Sequence, residues 1–516
     1  MYKIMSVLEK LQRKKGKKWV LFYFAFIINF VLIEVMIMML GIYWGDINLI
    51  VSDILGFNIN LVFIVMGILL IPIIYGMFLF SSNLKELSKS DEIIPKKIHK
   101  ILPIFLMVIF SGAFILLLYS FEQYSILILQ LMEYYSIYIF LVICIILLLL
   151  LYSLVKILPR VEDYLSDKII SPNTKSYLIL VLIIASYVLA FASPLLFIPA
   201  NVLPNFLPTK PRILAHRGAS RIAPENTIIA GELAEKYGAV GWEVDIRISY
   251  DGQLFLMHDD TLTRTTNVDE VFPNRKNDEA DSFKWKDLKE LDAGSWFAEK
   301  DPFGTIASGF ISKEKADEYM DVKIPTFEEV LEFTKDSRFL IDLDTKGTSE
   351  GHPYAEDYFE LILNATLNSG IDLEKVMLAT DNIEWIDLIN DRNASDIILA
   401  MNMRTNPTLE EFRKSEYDYE FVKTGDLYTN KLYREFYDAE VPVVVYTINS
   451  PERFYQLWCL GVSFVMGDNV HVFNSLIAPT WYMNIKTYVT IWLVVYSVAL
   501  CYVIVLKFVI LKKKTD

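Results

Sequence analysis

Hydrophobic and polar positions divide this chain into two kinds of sequence. Six long apolar runs cover approximately residues 19–44, 58–80, 101–119, 136–157, 176–199 and 486–511. A helix needs about 20 apolar residues to cross the core of a bilayer, so each run predicts a membrane-spanning helix. Short strand-like segments alternate with amphipathic stretches between the fifth and sixth runs. We therefore expect a five-span region over residues 1–200, a water-soluble domain over residues 211–475 and a sixth span over residues 486–511.

The pattern within the water-soluble domain predicts a parallel α/β fold. Its candidate strands are Ile213–Ala215, Gly241–Ile246, Leu254–His258, Phe339–Asp344, Val376–Ala379, Ile397–Met401, Pro442–Thr447 and Phe464–Met466. Helical patterns between them include Thr326–Thr334, Tyr354–Asn368 and Pro451–Leu460. Strand–helix alternation over about 250 residues is typical of a (β/α)8 TIM barrel, whose functional side chains lie at the C-terminal ends of the strands. The predicted fold class is a membrane α-helical bundle of six spans plus this α/β TIM-barrel domain.

Lysine and arginine positions predict how the spans are oriented. Basic residues cluster before the first span, after the second and fourth spans, and at the C-terminus, whereas residues 45–57 and 120–135 contain none. Cytoplasmic loops carry an excess of lysine and arginine. Both termini are therefore expected in the cytoplasm, and the water-soluble domain is expected to be extracellular or lumenal.

Composition narrows the possible partners and compartments. The net charge of −14 and the pI near 5.0 argue against nucleic acid as a partner, because its binding depends on basic patches. With three cysteines, no disulfide framework is possible in the water-soluble domain, so the redox compartment stays undecided. Asn364 and Asn393 begin N-glycosylation acceptor patterns, which predict a glycoprotein if the domain faces outward.

Histidines and acidic residues lie at the C-terminal ends of four of the predicted strands. They are His216 with Arg217, the pair Glu243 and Asp245, His258, and the pair Asp342 and Asp344. A histidine can transfer protons near neutral pH, an arginine can bind phosphate, and carboxylate oxygens favour Mg²⁺ or Ca²⁺ over zinc. Each residue alone has an ordinary structural explanation, such as a surface pair or a solvated strand edge. Together they predict a metal-dependent site at the mouth of the barrel.

This set of motifs resembles the glycerophosphodiester phosphodiesterase family. The family has a His-Arg-Gly opening as at His216–Gly218, a segment like Pro224–Thr227, a Glu-x-Asp pair as at Glu243–Asp245, and a second histidine before aspartate as at His258–Asp259. The resemblance covers essentially the whole water-soluble domain. Further segments, such as Ala293–Phe297, resemble the six-span membrane subgroup known from animals, whose catalytic domain faces outward.

The resemblance implies a role for each matching residue. His216 and His258 match the acid–base pair, and Glu243 and Asp245 match ligands of a divalent metal, Mg²⁺ or Ca²⁺. Asp342 matches a third ligand, which is usually glutamate in the family, and Arg217 matches a phosphate contact. Family members often have a lysine two residues after the third ligand, where this chain has Asp344. Either Lys346 takes the lysine's phosphate-binding role or Asp344 joins the metal.

The expected function is hydrolysis of glycerophosphodiesters, of the glycerophosphocholine or glycerophosphoinositol type, by a multi-pass membrane enzyme of lipid metabolism. The alternative substrates are glycosylphosphatidylinositol anchors and lysophospholipids, which a domain tethered to the bilayer at both ends would meet. An inactive receptor-like module would be indicated by a lost histidine or carboxylate, and none is lost. A transporter with an accessory domain would be indicated by repeated or broken spans. The nucleophile is either water or a neighbouring hydroxyl of the substrate.

Overall fold

A computed structural model describes most of the chain. The described residues are 17–39, 61–89, 95–120, 130, 133–141, 143–145, 147–148, 185, 187–337, 339–403, 408–426, 430–480 and 482–515. They fall into two compact units, Met1–Leu131 and Met132–Asp516, each of which is described by itself. Much of the predicted spans at residues 136–157 and 176–199 lies outside the described residues.

Among its described residues, the first unit contains three apolar helices. They are α1 (Lys17–Met39), α2 (Leu61–Lys89) and α3 (Lys97–Ser120). Phe26 and Phe30 of α1 are buried against Leu69 and Ile73 of α2. An amide bridge also joins α1 to α3, because Asn29 Nδ2 donates to Ser111 Oγ at 3.2 Å.

Three of the six predicted spans coincide with helices long and apolar enough to cross a membrane. Among the described residues these are Ile64–Asn83, Lys97–Leu116 and Ile485–Val505. The described parts of the other three form shorter apolar helices, namely Phe22–Ile33, Ser136–Ile145 and Tyr187–Leu196. The described residues therefore support three membrane-spanning helices. The full set of six spans stays a prediction.

The second unit contains a closed barrel, so the TIM-barrel prediction is confirmed. Its strands are β2 (Arg212–Ala215), β3 (Gly241–Ile248), β5 (Leu340–Thr345), β6 (Val376–Ala379), β7 (Ile398–Asn402), β8 (Phe421–Gly425), β9 (Val443–Tyr446) and β10 (Phe464–Gly467). Neighbours pair in parallel in this order, and β2 closes the barrel against both β10 and β3. Outside the barrel, β1 (Val202–Leu203) pairs in parallel with β11 (Met483–Asn484).

Among the described residues, the second unit has helices between and after these strands along the chain. They are α4 (Ile228–Lys236), α5 (Val268–Val271), α6 (Trp285–Leu288), α7 (Ser295–Lys300), α8 (Lys313–Asp317), α9 (Phe327–Lys335), α10 (Tyr358–Ser369), α11 (Ile383–Asp391), α12 (Leu409–Lys414), α13 (Asn430–Asp438), α14 (Pro451–Leu460), α15 (Val470–Ser475) and the long apolar α16 (Ile485–Thr515). The start of α9 has the sequence features from which a helix was predicted there. Thr326 and Glu329 form a reciprocal capping box, and Phe327, Val330 and Leu331 form its buried face.

Two strand predictions need correction. Leu254–His258 is not a barrel strand, because only Leu254–Leu256 is extended (β4) and it runs antiparallel to β3 as a hairpin. Its apolar residues support a second core formed with the insertion that precedes β5, around Phe255, Leu262 and Phe283. The eighth barrel strand is instead β8, which the apolar pattern did not predict.

The barrel interior has an apolar layer below a polar layer. The buried apolar residues are Leu214, Met377, Val444, Phe464 and Met466. Alternate residues of a strand face the same side, so the inward positions that follow Leu214 and Met466 are His216 and Asp468. The sequence thereby places charged groups at the C-terminal end of the barrel, above an apolar plug.

Candidate active site

His216 lies directly beside Asp468 at the end of two paired strands. Gly467 of β10 pairs with Ala215 of β2, so the residues that follow them are neighbours. Nδ1 of His216 is 2.7 Å from Oδ1 of Asp468. Burial alone would lower the pKa of His216, but the hydrogen bond and charge of Asp468 outweigh burial and raise this pKa above its usual value. The pKa of Asp468 is held well below its usual range despite burial, so the carboxylate accepts the bond.

Two further side chains fix the position of Asp468. Ser220 Oγ donates to Oδ1 at 3.0 Å, and Asn449 Nδ2 donates to Oδ2 at 2.5 Å. The backbone N–H of Asp468 in turn donates to Asn449 Oδ1 at 2.9 Å. The carboxylate is therefore oriented from both sides, and it holds His216 with Nε2 available.

The turn after β2 brings Arg217 over the carboxylates. Arg217 has φ of 57° and donates its backbone N–H to Glu243 Oε2 at 2.9 Å. Its guanidinium lies 3.0 Å from Glu225 and 3.3 Å from Asp245. Gly218 follows with φ of 81°, and a Cβ there would lie 2.6 Å from the Cβ of Ala230, so this turn requires glycine.

Three carboxylates converge between the histidines. The register between β3 and β5 pairs Glu243 with Asp342 and Asp245 with Asp344. One oxygen from each of Glu243, Asp245 and Asp344 lies within 4.8 Å of the others. Lys346 Nζ bridges Asp245 and Asp344, at 2.7 Å and 2.6 Å.

The two buried acids of β3 differ in their pKa values. Burial, reinforced by the charge of Asp245, raises the pKa of Glu243 to about 8. Burial acts on Asp245 in the same direction, but Lys346 and Arg217 hold the pKa of this carboxyl well below its usual range. The cluster therefore lacks enough positive charge to hold all its carboxylates ionised.

Asp342 lies apart from this cluster and pairs with Lys423. Oδ2 of Asp342 is 2.6 Å from Nζ of Lys423, and Oδ1 is buried without a hydrogen-bond partner among the described residues. Burial raises the pKa of Asp342, which the ammonium of Lys423 partly offsets. One oxygen of Asp342 is thus taken, and the other is open to a ligand.

The second histidine has its own aspartate. Nδ1 of His258 is 2.7 Å from Oδ1 of Asp259. Arg264 holds Asp259 and connects it to Glu225, with contacts of 2.6 Å to each carboxylate. Both histidines therefore direct Nδ1 to a carboxylate, which leaves each Nε2 as the group that can exchange protons with a substrate.

The comparison with known families agrees with this geometry. Residues 216–472 match the family described as the Glycerophosphoryl diester phosphodiesterase family. Through this domain, the chain belongs to the glycerophosphoryl diester phosphodiesterase family. Glycerophosphodiester phosphodiesterase domain-containing protein 5 of Gallus gallus is 36% identical over 287 residues, which cover 55% of this chain and 46% of that protein. The glycerophosphoinositol inositolphosphodiesterase of Homo sapiens is 30% identical over 321 residues, which cover 61% and 57%.

The phosphodiesterase domain also aligns with solved structures. An Oleispira antarctica phosphodiesterase in complex with the product sn-glycerol-3-phosphate aligns over 51% of this chain and 96% of its own, with 23% identity and a TM-score of 0.40. The chain spans about half the length of the curated relatives it matches.

The phosphodiesterase site contains more acidic than basic residues. Its seven carboxylates are Glu225, Glu243, Asp245, Asp259, Asp342, Asp344 and Asp468. Among the described residues, the arginines and lysines paired with these carboxylates are Arg217, Arg264, Lys346 and Lys423. Oxygen-only ligands, the raised pKa of Glu243 and the open oxygen of Asp342 all fit a hard divalent cation. The residues of the phosphodiesterase domain could therefore hold such an ion.

The predicted residues of the phosphodiesterase domain come together at one end of the barrel. The two histidines, Arg217, the four acids and Lys346 all belong to this network. Sequence reasoning missed Lys423 and did not assign Asp468, Asn449 or Arg264 to the site. Asp468 carried a signal, because it is an acidic residue just after the predicted strand Phe464–Met466, whereas Lys423 lies in a strand that the apolar pattern did not predict.

Proposed function

We propose that the chain is a membrane-bound, outward-facing and metal-dependent hydrolase of glycerophosphodiesters, of the glycerophosphocholine or glycerophosphoinositol type. The observation that carries this proposal is the pair of aspartate-held histidines, His216 and His258, at the same end of the barrel as a cluster of carboxylates. Hydrolysis of a diester needs one proton removed from the nucleophile and one given to the leaving alkoxide. Two histidines with free Nε2 atoms meet that need.

Charge decides how the substrate would bind. A phosphodiester is an anion, and the excess of carboxylates over cations in the site would repel it. A divalent cation held by Glu243, Asp245 and Asp344 would supply positive charge to the phosphate oxygens. Arg217 and Lys346 would orient the same phosphate when the cation takes over their carboxylate partners.

Proton transfer would then fall to the histidines. In each, the aspartate at Nδ1 fixes the orientation of the ring. One histidine would deprotonate the nucleophile, and the other would protonate the leaving alkoxide. Each transfer contributes roughly 10²–10⁴-fold to the rate in enzymes of this kind.

A lipid-linked diester is the second candidate substrate, and one feature of the second unit favours it. Glu133, just before the apolar helix Ser136–Ile145, accepts a hydrogen bond from Ala200 N at 2.9 Å and contacts Asn430 with its other oxygen. Asn430 starts α13, and Arg453, in the first turn of α14, donates to it at 2.9 Å. Because these helices follow β8 and β9, they begin at the same end of the barrel as the histidines. The segment that enters a predicted span therefore touches the face that would bind substrate.

The purified full chain can test both candidates. Hydrolysis would be measured on glycerophosphocholine, on glycerophosphoinositol, on a lysophospholipid in vesicles and on a glycosylphosphatidylinositol-anchored protein, each with Mg²⁺ or Ca²⁺. Hydrolysis of a water-soluble diester supports the first candidate. Hydrolysis confined to the vesicle and anchored substrates supports the second. A folded protein that cleaves none of the four contradicts both.

A further inference from the structure

Lys423 lies in the middle of β8, with its side chain inside the barrel. Phe421, two residues earlier, packs against the apolar plug, and alternate residues of a strand face the same side. The side chain of Lys423 is 8% exposed. It reaches Asp342 on β5, which is separated from β8 by two intervening strands. The ammonium is therefore at the inner end of the site, among the carboxylates.

The hydrogen-bonding capacity of this ammonium is mostly unused. An ammonium has three N–H donors, and Oδ2 of Asp342 is its one acceptor among the described residues. The ring of Tyr446 lies 5.6 Å from Nζ and supplies only a cation–π contact. Buried charged donors without acceptors are costly. The two remaining donors thus suit a ligand that brings several acceptor oxygens.

The other cations of the site are more heavily engaged. Arg217 is shared between Glu225 and Asp245, and Lys346 is shared between Asp245 and Asp344. Arg264 is likewise shared by two carboxylates. Within the described part of the site, Lys423 has a single carboxylate partner. Arg217 Nε is also buried without a hydrogen-bond partner, so both Arg217 and Lys423 have donors left for a ligand.

We propose that Lys423 binds the substrate phosphate directly and that Asp342 holds its ammonium in place. This inference rests on the proposed function and assigns a residue that the known motifs of the chain do not contain. Asp342 then positions the lysine through Oδ2, while Glu243, Asp245 and Asp344 are the carboxylates that would hold a metal. The substrate phosphate would contact Lys423 as well as that cation.

A double substitution separates phosphate binding from charge balance. Lys423→Met alone leaves Asp342 buried without a counter-charge, so it disturbs folding and binding together. Lys423→Met combined with Asp342→Asn removes both charges and keeps similar volumes, and Asp342→Asn alone is its reference. The exposed Lys431 provides a matched control, Lys431→Met, because it lies just after the same strand and is 86% exposed. The full chain with Mg²⁺ is titrated with inorganic phosphate, and affinity is read from the shift of its unfolding temperature.

The double variant is expected to bind phosphate about 10- to 100-fold more weakly than Asp342→Asn. This is the loss expected when hydrogen bonds to a charged group are removed. Lys431→Met should bind like the wild type. Affinities within threefold for the double variant and Asp342→Asn, both folded, would show that Lys423 is only a counter-ion and would overturn the inference. In that case a wild type that hydrolyses a diester leaves the proposed function standing. A wild type that hydrolyses none contradicts the proposed function and this inference with it.

Discussion

His216 and Asp468, 252 residues apart in the sequence, are joined by a hydrogen bond of 2.7 Å between Nδ1 and Oδ1. The low pKa of Asp468 keeps it ionised, so Nδ1 of His216 carries the proton of this hydrogen bond. Nε2 is then the ring nitrogen that can exchange a proton with the substrate. The same carboxylate keeps His216 protonated to higher pH than an ordinary histidine. His216 should therefore titrate at a pH that depends on Asp468.

Asp468→Asn tests this dependence through the pH profile of kcat/KM. The substitution removes the charge that raises the pKa of His216, so that pKa should fall. The limb of the profile that reports His216 should move to lower pH, whether this histidine acts as acid or base. Asp278→Asn, which changes a surface ion pair with Arg275, should leave the profile in place. A shift to higher pH, or none, would contradict the assignment of Asp468.

The five histidines of the chain allow a direct test of roles. His216→Ala and His258→Ala should each lower kcat by about 10²–10⁴-fold, because each removes one proton transfer. His352 accepts a hydrogen bond from Tyr354 N and His471 packs on the ring of Phe310, so both have structural contacts. Alanine at either position should leave kcat per folded molecule close to that of the wild type. Near-normal turnover in folded His216→Ala would exclude the mechanism.

Most barrel strands could be predicted because their outer residues pack against helices and their inner residues fill the plug. The strand β6, for example, spans Val376–Ala379 in both sequence and structure. The segment at Leu254 was equally apolar, but periodicity cannot distinguish a parallel barrel strand from an antiparallel hairpin. The strand β8 was missed because its inner positions include Lys423 and Gly425, which read as a polar turn. A barrel strand whose inner positions carry charged active-site residues does not show the apolar pattern from which strands are predicted.

The site was predictable only where local motifs encode it. Glu243 and Asp245 share a strand face, so their proximity follows from spacing alone. The partnership of His216 with Asp468 depends on barrel closure between the first and last strands, which no local pattern encodes. The division between Asp344 in the carboxylate cluster and Asp342 on Lys423 likewise depends on packing across the barrel.

Glycosylation tests the proposed orientation. Asn393 is exposed in the turn after α11, whereas Asn364 lies inside α10, accepts a hydrogen bond from Arg392, and has its acceptor hydroxyl, on Thr366, buried. Expression in eukaryotic cells should give a glycosidase-sensitive mass shift that Asn393→Gln abolishes and Asn364→Gln preserves. Protease cleavage of the barrel from the cytosolic side alone would contradict the outward orientation.

The carboxylate cluster predicts a graded response to ligand loss. Glu243→Gln and Asp344→Asn each keep the shape of the side chain and remove one ligand charge. Both should raise the metal concentration that gives half-maximal activity, because fewer charges hold the cation. Glu328→Gln, on the exposed side of α9, is the control. A silent Asp344→Asn would mean that Asp344 serves only as a partner of Lys346.

Metal dependence is the central claim, and one measurement tests it most directly. Hydrolysis of glycerophosphocholine by the purified full chain would be followed before chelation, in excess chelator, and after addition of Mg²⁺ or Ca²⁺, with the bound metal quantified at each stage. Because the site has more carboxylates than cations, activity should vanish with the metal and return when either ion is restored. Full activity in excess chelator, with no metal detected in the protein, would contradict it.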